Sequence, residues 1–137
     1  MAKHRTSGKK AKKAQARAAA AAAVTALEAA LPADIKVIQV PAGTTVSVEV
    51  DVNDMAIPYT IALNTRVVIT SLVDRRETLP DLAAGTHRLS WGFAHIVKEW
   101  MHKVTLTVGT AKTVLEERSE AKKDPDHSIG VAFLIVS

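Results

Sequence analysis

The stretch Val46-Ser47-Val48-Glu49-Val50-Asp51-Val52 decides the fold. Four valines alternate with a serine and two acids, so one face of an extended chain is apolar and the other is wet. That period of two belongs to a half-buried β-strand; a helix would need apolar positions three and four apart. Immediately upstream, Pro41-Ala42-Gly43 supplies a turn, and Ile35, Val37, Ile38 and Val40 form a first short strand.

The same reading continues downstream. Asn53-Asp54 marks a turn, and Pro58 places the following strand, with Tyr59, Ile61 and Leu63 on one face, at a sheet edge. Residues 66–73 are a β-branched run that reads as a buried strand, and residues 75–86, with Pro80 and Gly85, read as a loop. Leu89, Trp91 and Phe93 share one face of the next strand, while residues 94–100 fit either its continuation or a turn. Val104, Leu106 and Val108 alternate with threonines up to Gly109, and residues 113–117 suggest a further strand before a charged loop. Residues 128–136 are apolar on both phases, as expected of a terminal strand covered on both faces. Seven or eight short strands with no helix among them predict an all-β fold, an antiparallel β-sandwich of immunoglobulin-like or compact jelly-roll type.

The first 33 residues obey different rules. Lys3, Arg5, Lys9, Lys10, Lys12, Lys13 and Arg17 are seven cations with no acid among them in residues 1–17. The rest of the 137-residue chain holds eleven Lys and Arg against fourteen Asp and Glu, so the net +4 is a basic arm on a mildly acidic body. From about Lys9 to Leu31 the chain is rich in alanine and lysine with no proline or glycine, which predicts a helix preceded by eight disordered residues. Val24, Leu27 and Leu31 form a narrow apolar stripe that would pack on the body or on a second chain. The domain organisation is therefore an Ala/Lys-rich arm over 1–33 and a β domain over 34–137.

Composition sets limits on function. Without cysteine there are no disulfides or thiolate metal ligands. The chain has no G-x-S-x-G elbow, Walker pattern or G-x-G-x-x-G, so no enzyme class and no cofactor is indicated. His87, His95 and His102 have spacings unlike those of zinc sites and read as ordinary surface or strand residues; Glu99 and His102 give a single E-x-x-H. Of five aromatics, Trp91, Phe93 and Phe133 sit on inward phases, leaving Trp100 and Tyr59 for a surface role. The Ala18–Leu31 stretch contains Glu28 and is too weak for a membrane span; a signal peptide cleaved near Ala33 would instead make this an exported module.

The basic arm is the strongest partner signal. Its cations suit non-specific contact with nucleic acid through phosphates, and Gln15 is the one aromatic or amide-bearing base reader that accompanies them. A basic arm, then a short helix, then a compact β domain resembles the layout of coat and decoration proteins of icosahedral viruses and phages. That resemblance covers the order of segments and no residue motif. It implies a non-enzymatic structural protein of a virion or other particle, a homo-oligomer or larger assembly, with the arm against nucleic acid or neighbouring subunits. An intracellular nucleic-acid-binding accessory protein and an exported adhesion or ligand-binding sandwich are the alternatives. A virion or cytoplasmic location is expected ahead of a secreted one.

Overall fold

The computed structural model describes the backbone of residues 2–32, 34–125 and 127–137, and the side chains among these from residue 12 onward except His127. The chain is mostly β, with two sheets and one N-terminal helix. Helix α1 spans Ala2–Ala30. The strands are β1 (Lys36–Val40), β2 (Val46–Asp51), β3 (Tyr59–Leu63), β4 (Arg66–Ser71), β5 (Arg75–Thr78), β6 (Gly85–Ala94), β7 (Met101–Val108), β8 (Ala111–Ser119) and β9 (His127–Val136).

One sheet has the order β1-β9-β6-β3-β4 and the other β5-β2-β7-β8. Their inner faces share a core in which Val48, Val50, Val104 and Leu106 of the second sheet meet Ile61, Leu89, Ala132 and Leu134 of the first. The valine alternation that opened the sequence is therefore the inner row of β2, and Glu49 and Asp51 face outward.

Several expectations need correction. The helix begins at Ala2, because the helix propensity of lysine and alanine outweighs the roughly 1 kcal/mol that Gly8 costs. Residues 75–86 are not all loop: Arg75–Thr78 pairs with β2 as a short, charged edge strand. Residues 66–73 are not a buried strand, and of them Ile69 alone is fully buried. They contain β4, the outer edge of its sheet, with Val67, Leu72 and Val73 more than half exposed. Pro58 does not mark an edge either, because β3 lies between β6 and β4; the proline precedes the first ladder bond, and its carbonyl accepts from Ala94 N–H.

The expected antiparallel arrangement fails at one pairing, since β1 runs parallel to β9. Helix α1 delivers the chain to the end of the sheet where β9 also starts, so both strands must run the same way. β1 covers only Ala132–Val136, and the first half of β9 has no strand on that side.

Candidate functional site

The predicted site residues lie on α1, except Leu31, which directly follows its last residue. Ala20, Val37 and Ile135 form a small second core, and Ala23, Val24, Leu27, Leu31 and Phe133 pack around it. The apolar stripe Val24, Leu27 and Leu31 is thus seated on the outward side of β1 and β9. Burial under the helix explains why residues 133–136 are apolar on both phases: Leu134 and Val136 face the inter-sheet core, while Phe133 and Ile135 face α1.

Toward the N-terminus the helix leaves its support. Lys12, Lys13 and Arg17 are exposed, as is every residue from 12 to 19. Gln39 Nε2 donates to the Arg17 carbonyl at 3.4 Å, near the last point of contact with the body. The backbone continues helical for about 20 Å further. The side chains of Lys3, Arg5, Lys9 and Lys10 lie outside the described residues.

A second constellation was not anticipated. Five near-parallel rings line up through the core in the order Tyr59, Phe93, His102, His95 and Trp100, the two imidazoles meeting edge to edge. Successive centroids are 5.2, 3.9, 4.9 and 3.5 Å apart. His102, a strand residue of β7, is wholly enclosed, and His95 just after β6 is buried, so neither is a surface residue. Tyr59 and Trp100 are core residues too, which removes both from a surface role.

The imidazoles end on a carboxylate. Glu116 Oε2 accepts from His102 Nε2–H at 2.7 Å and from Trp91 Nε1–H at 2.8 Å, and Oε1 accepts from Arg118 Nε–H at 3.0 Å. Burial by itself would raise this carboxyl. The donors His102, Arg118 and Trp91 outweigh it and hold Glu116 at about 2. The ionised carboxylate calls for a proton on His102 Nε2, and Nδ1 of the same ring lies within hydrogen-bond distance of His95 Nε2, at 3.0 Å.

Glu116 reaches the interior through a bulge. The β7–β8 register shifts between Val104 and Thr105, so Leu115 is inserted and Glu116 falls opposite Val104, an inward position. Trp91 reaches Glu116 by lying over Gly130, where an added Cβ would fall 2.2 Å from Nε1. At the far end of the rings the buried Trp100 Nε1–H has no hydrogen-bond partner among the described residues, and Arg118 at the other end is partly exposed; no group of three ligands able to hold a metal occurs among the described residues. The chemistry of the network is that of a polar clamp between the two sheets.

The sequence carried a signal for this clamp. His95 continues the inward phase of Trp91 and Phe93, and His102 that of Val104 and Leu106. The bulge that turns Glu116 inward had no such signal. Among the described residues, no helix is long and apolar enough to cross a membrane. Compared with protein-family models, curated proteins and solved structures, the chain matches none.

Proposed function

We propose that this protein is a non-enzymatic structural or assembly protein, a virion or other particle component. In this reading the two facing sheets form a β-sandwich of immunoglobulin-like or compact jelly-roll type, and the basic helix contacts nucleic acid or neighbouring subunits. The observation that carries the reading is the distribution of charge on α1. At roughly 3.6 residues per turn, positions 3, 5, 9, 10, 12, 13 and 17 fall within about half of the helix circumference. Ala20, Val24, Leu27 and Leu31, which dock on the body, fall within that same half. At the described end of the arm, Lys12, Lys13 and Arg17 share the half of the helix that docks on the body further along, so a polyanion held by them lies near the domain.

Nucleic acid fits this surface better than a membrane. The opposite half of residues 2–19 offers alanine, serine, glycine, His4 and Gln15, with no large apolar side chain to insert between lipids. A chain of phosphates matches cations spread along the axis without an apolar anchor.

The test is binding of a labelled DNA duplex by the full chain and by a chain lacking residues 1–17, across a salt series. Seven phosphate contacts give a log–log slope of up to about −6, and removing the arm abolishes binding. Retained affinity without the arm, or no binding at low salt, contradicts the nucleic-acid role. The intracellular accessory protein is the second reading, favoured by a monomer that binds with the same salt dependence. A mature N-terminus near Asp34 would support the exported module instead.

A further inference from the structure

The order of the five-stranded sheet leaves one lane half filled. β9 pairs with β6 over its whole length, from His127 opposite Ala94 to Val136 opposite Gly85. On its other side β1 pairs with Ala132–Val136 and starts only at Lys36. Upstream of Lys36 the chain leaves the lane through a turn that Ile35 N–H closes onto the Pro32 carbonyl. Among the described residues, no strand, turn or loop hydrogen bond engages the backbone of residues 127–131 on that side. Alternate residues of a strand aim their N–H and C=O groups to the same side, so roughly two or three residues present an open ladder to the lane. No Lys, Arg, Asp, Glu or Pro stands in 127–131 to discourage pairing.

A cleft of about 850 Å³ borders this open edge. Ile129, Gly130 and Val131 line it, Leu31 and Ile35 close the end next to β1, and Leu115 of β8 contributes from the other sheet. Trp91, lying against Gly130, adds a further apolar surface. Ile129 is 90 % exposed, an unusual state for a large apolar side chain in a strand. The charges around the cleft nearly cancel: Asp34, Glu116, Glu117 and Asp124 stand against Arg88, Arg118 and Lys122, the last 4.0 Å from Glu117. Charge therefore selects no occupant. The open ladder and the apolar walls do.

We propose that the open half of the β9 edge is a strand-addition site, which takes a short extended segment of a partner protein carrying apolar, β-branched side chains. Unpaired ladder groups are complemented by the N–H and C=O groups of another extended backbone, and pockets beside them select alternate side chains. The other half of this same edge already holds such a segment, because β1 lies in the lane as Lys-Val-Ile-Gln-Val. A partner strand continues that contact by about five residues, the length of the gap. Apolar walls stand on both sides of the lane, Leu31 and Ile35 on one and Leu115 on the other, so both faces of the incoming strand are covered. A lane closed by β1 at one end and flanked by β8 admits a lone strand rather than the edge of a second sandwich. This site is separate from the basic arm and does not depend on what the arm holds.

The experiment titrates the full chain into a fluorescein-labelled peptide of alternating threonine and valine, seven residues long and capped at both ends, and reads anisotropy. The same peptide N-methylated at alternate residues keeps its side chains and loses its ladder. The unmodified peptide binds at micromolar concentration, and N-methylation weakens it by about tenfold or more. Ile129→Lys weakens it likewise, and keeps a cooperative thermal transition because the replaced side chain is exposed. Hydrogen–deuterium exchange of the complex shows new protection in residues 127–131. No binding, equal binding of the N-methylated peptide, equal binding by Ile129→Lys, or protection confined to other strands overturns the site. A chain that is already dimeric through this edge, and that the peptide dissociates, places a second copy there and overturns the partner segment.

Discussion

The outward faces of the two sheets follow the same alternation yet end in different company. Glu49, Asp51, Lys103 and Glu117 on one sheet meet water. On the other sheet Phe133 and Ile135 meet α1, and Gly92 and Ile129 meet nothing within the chain. A period of two separates inward from outward positions, but it does not say whether outward means wet. Composition helps: charge marks a solvated face, and the apolar Phe133 and Ile135 mark the part that α1 covers.

The largest test of this difference is to remove the strand that carries both partnerships. Ending the chain after Gly130 deletes the inner residues Ala132, Leu134 and Val136 together with the seat of α1. Each large buried side chain contributes about 1.5–3 kcal/mol against a total near 5–15, so no cooperative unfolding transition remains in circular dichroism. Less severely, Ile135→Ala costs about 2–4 kcal/mol in a denaturant titration, because it opens a cavity beneath the helix. Lys103→Ala, outward on the other sheet, stays within about 0.5 kcal/mol. Equal costs for these two would erase the distinction between a covered face and a wet one.

Between the sheets, Glu116 gives the molecule an acid limb. Its folded-state value of about 2 lies below the unfolded value of 4.5, so its contribution is complete above pH 4.5 and disappears as pH falls toward 2. About 2 kcal/mol should be lost over that window, and Glu116→Gln should flatten that part of the stability profile. Smallest of all is deletion of residues 1–17. The described side chains among them are exposed, so the melting midpoint should move by no more than a degree or two.

What the sequence disclosed and what it hid differ for physical reasons. Val46 to Val52, Leu89 to Phe93 and Val104 to Val108 were legible because burial on one side imposes a strict period. Residues 66–73 misled because β-branched residues suit an exposed edge strand as well as a buried one. Arg75–Thr78 was hidden because a charged edge strand carries no apolar phase at all. The parallel placement of β1 followed from where α1 delivers the chain, a long-range fact with no local sign. Of the candidate site, the cations and the stripe were readable one by one. Their lying on one side of a single helix emerged only once that helix ran unbroken from Ala2.

The central claim is that this chain assembles and that its arm holds nucleic acid. Size-exclusion chromatography with light scattering on the full chain, recording absorbance at 260 and 280 nm at low and high salt, tests it most directly. The expected result is a defined oligomer that carries excess 260 nm absorbance at low salt and sheds it at high salt. A monomer with the absorbance ratio of clean protein at both salt concentrations would contradict it.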